Sequence, residues 1–208
     1  MYVPIHNRET DRKKILAFMR EYSFATFITT HEGAIHATHL PVLIDERDEN
    51  LVILAHVARG NVQWRDFENN SQTEALIIFQ EPHAFISTRH YERPLSVPTW
   101  NYVAVHAYGI PRILTSLQER LQLVKRMVEY YEGNLDQWNS LPEDFRQTKA
   151  NGIVAFEMPV TRLEARFKLS QDRTRAEQDK IAQSLSHDSD TGRRKIGELV
   201  AQSLPKNY

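Results

Sequence analysis

The sequence predicts an α+β fold in which a mostly antiparallel sheet closes into a barrel, with flanking helices and a C-terminal helical tail. Three observations predict it. Short runs rich in β-branched and aromatic residues succeed one another from Phe24 to Leu169, bounded by turn residues. Few helical patterns fall between them, which favours antiparallel neighbours over crossover connections. About seven short strands of this kind expose unpaired edges unless the sheet closes on itself.

Asp11 can cap a first helix, in which Ile15, Phe18, Met19 and Tyr22 recur at helical spacing. Phe24 to Thr30 reads as a strand, and His31-Glu32-Gly33 as its turn. Ala34 to Asp45 follows, with Pro41 marking an edge or a bulge. Glu46 to Asn50 is a charged turn, and Leu51 to His56 is apolar enough for a buried strand. Ala75 to Gln80, Ala84 to Ser87 and Trp100 to Leu114 continue the series, the last bent at Gly109 and Pro111. Ser116-x-x-Glu119 is a capping box for a helix whose stripe is Leu117, Leu121, Val124, Val128 and Tyr131. Gly133-Asn134 stops it. Strand character returns at Ile153 to Val160 and Arg162 to Leu169. The tail carries a polar helical stretch, Gln171 to Leu185, a break, and a second helical pattern from Arg193 to Leu204. The boundaries expected are a barrel domain over 1–169 and a helical extension over 170–208 packed on it.

Composition narrows the function. The 208 residues are 41% hydrophobic and 25% charged, as in globular proteins, and 26 basic against 27 acidic residues leave a formal charge of -1. A global electrostatic footprint for nucleic acid is therefore absent. With no cysteine, disulfides, thiolate catalysis and cysteine-ligated metals are excluded. The N-terminal residues lack a signal-peptide core and no apolar run approaches the ~20 residues of a membrane span, so a cytoplasmic location is expected.

Two clusters carry chemistry. In Val97-Pro98-Thr99-Trp100-Asn101-Tyr102, strand alternation puts Trp100 and Tyr102 on one face and Thr99 and Asn101 on the other. Bulk combined with hydrogen-bonding atoms suits a pocket for a flat, polar-edged ligand, and the pattern alone leaves open which face meets it. In Leu51 to Trp64, an apolar strand delivers His56, and Arg59-Gly60-Asn61 turns into what reads as the first turn of a short helix. Arg59 offers a charge-assisted fork, Gly60 a close backbone approach, and free N–H groups at a helix start favour anions. The pair suggests a phosphorylated aromatic cofactor held without a glycine-rich dinucleotide or P-loop motif, since neither pattern occurs.

The chain resembles the PaiB-like FMN-binding negative transcriptional regulators. The resemblance rests on Met1-Tyr2-Val3-Pro4, Ala37-Thr38-His39-Leu40-Pro41, His56 to Trp64, Phe85-Ile86-Ser87, Val97 to Tyr102 and Phe167-Lys168-Leu169-Ser170-Gln171. The chain departs from the family pattern in three places: Val62 replaces a proline, Thr88-Arg89-His90-Tyr91 follows Ser87 where the family has Pro-Ser-Trp-Tyr, and Asp172 replaces an asparagine. The resemblance implies a split β-barrel related to pyridoxamine-phosphate oxidase, and a homodimer holding FMN near the subunit interface. It implies that His56, Arg59 and Asn61 serve the phosphate and ribityl end. It implies that Ser87, Thr99, Trp100, Asn101 and Tyr102 are further pocket residues, and that Lys168, Ser170 and Gln171 complete a site, the partner subunit being one source of them. Lys168 would then be a counter-charge for reduced flavin.

Other readings use different residues. A non-catalytic DNA-binding repressor would draw on Arg193-Arg194-Lys195, although no helix-turn-helix pattern accompanies this run. A haem-binding barrel would need a noncovalent axial histidine, and none stands out. The nine histidines show no metal-ligand spacing. No acid–base or nucleophile–base pair can be assigned, so catalysis itself stays open.

Overall fold

A computed structural model describes residues 1–70, 72–93 and 95–204. The fold is α+β with an antiparallel sheet, as the sequence predicts. The strands are β1 (Phe24–His31), β2 (Ala34–Pro41), β3 (Leu43–Arg47), β4 (Asn50–Ala58), β5 (Ala75–Ile86), β6 (Thr99–Gly109), β7 (Arg112–Ile113) and β8 (Ile153–Lys168). The helices are α1 (Arg12–Glu21), α2 (Leu117–Glu132), α3 (Asp136–Ser140), α4 (Glu143–Asn151), α5 (Arg175–Ser186) and α6 (Thr191–Ser203), with a 3₁₀ helix at Val62–Asn70. The strand order is β2-β1-β5-β6-β8-β4-β3, and β7 pairs with β8.

The caps match their sequence signals. Asp11 Oδ1 accepts the Lys13 N–H at 2.9 Å at the start of α1. Ser116 and Glu119 form the capping box of α2, and Gly133 closes that helix in the left-handed region at φ 75°. A second capping box, Thr174 with Glu177, was not picked out from the sequence and starts α5 at Arg175 rather than at Gln171. Two runs that the sequence separates, Ala75 to Gln80 and Ala84 to Ser87, lie in one strand, because Pro82 is accommodated within it and buried. The run from Ala34 to Asp45 divides at Val42, and the two runs from Ile153 to Leu169 form the single strand β8.

The chain divides into two compact units. The first comprises Met1–Ile15, Phe79–His106 and Glu164–Tyr208, and the second Leu16–Ile78 and Ala107–Leu163. In the second unit Phe27, Phe67 and Phe156 pack ring on ring with centroids 4.8–5.7 Å apart. Beside them α2 lays Leu123 and Met127 against Leu43, Leu54 and Ala155. Gly109 is required there, because a Cβ at this position would stand 2.2 Å from the Pro159 carbonyl oxygen. In the first unit the fully buried side chains include Phe79, Ile86, Ile181 and Ile196. Its tail helices α5 and α6 meet at Gly197, where a Cβ would lie 3.0 Å from Leu185 Cβ.

Candidate functional site

The sequence-predicted site residues fall into two sets, one in each unit. His56, Arg59 and Asn61 belong to the second unit. Ser87, Thr99, Trp100, Asn101, Tyr102, Lys168, Ser170 and Gln171 belong to the first.

In the second unit, β4 pairs with β8 and places His56 opposite Ala155. The His56 Nδ1 is shut away from solvent with no hydrogen-bond partner among the described residues. Burial lowers its pKa below the ordinary histidine value, which favours the neutral ring. Past the end of β4 the chain turns. Arg59 donates from its backbone N–H to Gly152 O at 2.8 Å. Its guanidinium donates from Nε to Asn151 O at 2.8 Å and from Nη2 to Ile153 O at 3.2 Å. The arginine is thus held in place by the α4–β8 joint, and its Nη1 makes no hydrogen bond among the described residues. The Trp64 indole N–H closes the turn on Arg59 O at 3.1 Å.

Asn61 works mainly inward. Its Oδ1 accepts the Gln63 N–H at 3.0 Å, and its Nδ2 donates to Thr38 Oγ1 at 2.8 Å. The 3₁₀ helix behind it is moored by two buried polar side chains. Gln63, 2% exposed, donates from Nε2 to Phe27 O, Thr29 Oγ1 and His36 O, and its Oε1 accepts the Thr38 hydroxyl. The Asp66 carboxylate accepts the Thr29 hydroxyl at 2.6 Å and pairs with His36 Nδ1 at 2.7 Å. A pattern of polar residues that reads as a surface turn is therefore an anchored platform.

A cavity of about 430 Å³ opens beside this platform, walled by Trp64, Phe67, Ile113, Leu114 and Val154, with Arg59, Arg120, Thr115 and Glu68 supplying its polar groups. The sequence reading did not pick out Arg120 or Thr115. Arg120 lies in the first turn of α2, where it reads as one more solvated cation.

In the first unit the alternation of β6 separates the Val97–Tyr102 run into two jobs. Asn101 is fully buried and exchanges two hydrogen bonds with Ser170, 2.9 Å from its Nδ2 to Ser170 Oγ and 3.1 Å from the serine hydroxyl to its Oδ1. Ser170 adopts φ 63°, unusual for a residue with a Cβ, and its carbonyl accepts the Gln178 amide at 2.8 Å. Gln171 folds back so that its Oε1 accepts the Leu169 N–H at 2.8 Å. Lys168 contacts the Thr99 hydroxyl, and burial, followed by the charge of Arg166, lowers its pKa. Ser87 caps the turn at Thr88–His90 by accepting the Arg89 N–H.

Trp100 and Tyr102 face the other way. Trp100 is 50% exposed, with His83 and Phe85 rings 5.5 and 5.9 Å from its own. Arg166 lies over the Tyr102 ring at 5.3 Å. A cavity of about 450 Å³ is lined by Gln80, His83, Trp100, Tyr102, Ala104 and His106. Burial distinguishes the two faces of the motif: Trp100 is half exposed and Tyr102 half-buried, whereas Asn101 is fully buried.

A family described as "Putative FMN-binding domain" matches residues 1–162. The chain belongs to this family. Among curated proteins it is similar to "Protease synthase and sporulation protein PAI 2" of Bacillus subtilis (strain 168), with 36% identity over 208 residues covering 99% of each chain. Among solved structures it is similar to the flavocytochrome Anf3 from Azotobacter vinelandii, with a TM-score of 0.62 and 10% identity over 80% of this chain and 72% of that one. It is also similar to the FAD and heme binding protein from Mycobacterium smegmatis, with a TM-score of 0.60 and 9% identity over 78% and 73%. At such identities the structural likeness concerns the fold alone. The α+β split barrel and the PaiB-like FMN-binding family expected from the sequence are both found, and FMN is the cofactor that membership of the FMN-binding family assigns. Among the described residues no helix is long and apolar enough to cross a membrane.

Proposed function

We propose that the protein is an FMN-dependent redox protein or flavin sensor of PaiB type, with the FMN phosphate held at the Arg59 turn. The observation that carries this reading is the anchored turn with its cavity. Arg59 is fixed by two backbone carbonyls with one nitrogen to spare, beside aromatic and aliphatic walls. His56 adds an unpartnered buried nitrogen one strand-end away in sequence. Bound there, FMN would supply the electron-transfer chemistry, and the protein the binding and orientation. For the first unit we propose that Trp100, Tyr102 and Lys168 meet a flat ring, while Ser87, Thr99, Asn101, Ser170 and Gln171 hold those side chains in place.

We further propose a homodimer. The first unit leaves Tyr2, Ile5, Phe85, Val97 and Trp100 exposed, an apolar set that a partner copy would cover. The regulatory role would then act through flavin occupancy or redox state. Direct DNA contact by Arg193-Arg194-Lys195 has less support, because Arg193 pairs with Asp188 and Arg194 donates to the Asp188 and Ser189 carbonyls.

The test is an absorbance and fluorescence titration of the purified chain with FMN, alongside light scattering for mass. Saturable binding with a shifted flavin spectrum on a dimer supports the reading. A chain that neither carries nor takes up flavin refutes it.

A further inference from the structure

We propose that Arg120 is a second anion-binding group of the Arg59 cavity, so that two guanidiniums grip one phosphate monoester carried on an apolar or aromatic body. The proposal rests on the FMN reading for its natural ligand and adds a residue to it from a different element.

Four observations carry it. Arg120 and Arg59 both line the same cavity of about 430 Å³. Both are oriented by one residue at the end of α4: the Asn151 carbonyl accepts from Arg59 Nε at 2.8 Å, and Asn151 Oδ1 accepts from Arg120 Nη2 at 3.1 Å. Arg120 is fixed a second time by donation from Nη1 to Thr115 O at 2.6 Å. Its Nε is buried and has no hydrogen-bond partner among the described residues. A buried donor on a permanent cation is costly when left without an acceptor, and native proteins keep few such groups. An anion in the cavity would supply the acceptor.

The remaining lining sets the ligand class. Thr115 adds polar lining, and Glu68 is the one carboxylate there, so the cavity walls carry two cations against one anion. Trp64, Phe67, Ile113, Leu114 and Val154 make the rest apolar. A bare inorganic anion would leave those walls wet. A phosphate ester on a planar or aliphatic body would use both parts.

The experiment compares FMN with riboflavin, which lacks the phosphate, on the full-length apoprotein by flavin fluorescence quenching. Arg120→Met retains much of the stem and removes the charge. It should weaken FMN by roughly tenfold or more, the scale of one charged hydrogen bond, while leaving riboflavin affinity within about twofold. Arg120→Lys keeps the charge without the fork and should fall between. Circular dichroism and melting establish that each variant folds. FMN affinity unchanged in folded Arg120→Met, with Arg59→Met still losing it, overturns the inference and leaves the FMN reading standing. Wild-type protein that ignores FMN overturns that reading. Phenyl phosphate then serves as the probe, and an arginine Nε–H NMR signal of Arg120 that phenyl phosphate does not perturb overturns the inference as well.

Discussion

Replacing Gln63 with leucine should unfasten the turn that carries Arg59, and the size of the loss can be worked from its bonds. The side chain is 2% exposed, and leucine is of similar size and fits the space without its amide. The two N–H hydrogens of Nε2 are shared among Phe27 O at 3.2 Å, Thr29 Oγ1 at 3.0 Å and His36 O at 3.3 Å, and Oε1 accepts the Thr38 hydroxyl. This amounts to about three effective bonds, each worth about 1 kcal/mol net. Thr38 keeps a partner, since Asn61 Nδ2 donates to its oxygen at 2.8 Å, and Thr29 keeps Asp66 at 2.6 Å. The strand carbonyls lose only one acceptor interaction each. Gln63→Leu should therefore cost roughly 3 kcal/mol, lowering Tm by about 6–12 °C in a chain of this length. Gln63→Glu should cost at least as much, because a buried carboxylate faces two carbonyl oxygens and cannot donate to them. The assay is calorimetry or a urea melt, with FMN titration on the folded fraction. A Tm within about 2 °C of wild type for both variants would refute the anchoring argument.

Three further outcomes are expected. Arg59→Ala should weaken FMN by roughly tenfold or more while costing at most about 1 kcal/mol of stability, since its carbonyl contacts are exposed to solvent. Equal FMN affinity in wild type and variant would remove Arg59 from the phosphate end. Gly109→Ala should destabilise by roughly 2–3 kcal/mol, because the new methyl meets the Pro159 carbonyl at 2.2 Å and Met158 Cγ at 2.9 Å, and a melting curve unchanged from wild type would contradict that close approach. Stability should also fall on acidification. Burial is the largest cause holding His56, His90 and His106 below the ordinary histidine value of about 6.5. With folded values depressed, the unfolded chain takes up protons first as pH drops below about 6.5, so stability is full above that point and lost through the window beneath it. A urea midpoint at about pH 5.5 equal to that at about pH 7.5 would be the contrary result, and His56→Gln should flatten the dependence.

Strands were legible as β-branched and aromatic runs bounded by turn residues: in β1 the buried positions Ala25, Phe27 and Thr29 alternate, whereas β4 is a continuous apolar run buried on both faces. Helices were legible where a cap announces them, as at Ser116, but the buried face of α2 was not: it is Leu123 and Met127 that face the core, whereas the expected stripe Leu117, Leu121, Val124, Val128 and Tyr131 leaves Tyr131 48% exposed. What escaped was the stretch from Asp136 to Asn151. Here α3 buries only Trp138 and α4 only Ala150, so neither shows an amphipathic stripe. Yet the carbonyl and carboxamide of Asn151, the last residue of α4, orient both cavity arginines. Arg120 was illegible for the same reason. Its neighbours in sequence describe a helix start, and its role exists only once the chain path sets α2 beside the turn after β4. The Arg59–Trp64 turn was legible as chemistry but not as architecture, since nothing in Arg-Gly-Asn indicates that Asn61 would be consumed by Thr38 and Gln63.

The run from Thr99 to Tyr102 shows why a motif cannot be converted wholesale into ligand contacts. Its residues alternate in purpose because the strand alternates in direction. Asn101 cannot reach a ligand while it exchanges two hydrogen bonds with Ser170, and Ser170 can hold its left-handed backbone only because that exchange and the Gln178 amide secure it. The strained residue lies two positions after Lys168, so the same lock fixes where the lysine amine stands against Thr99. Asn101→Leu should accordingly disturb Lys168 more than Trp100→Leu does, although the two substituted residues are neighbours in the chain. A Lys168 amine whose NMR titration is unaltered in Asn101→Leu, but altered in Trp100→Leu, would reverse this order and return the motif to a simple row of ligand contacts.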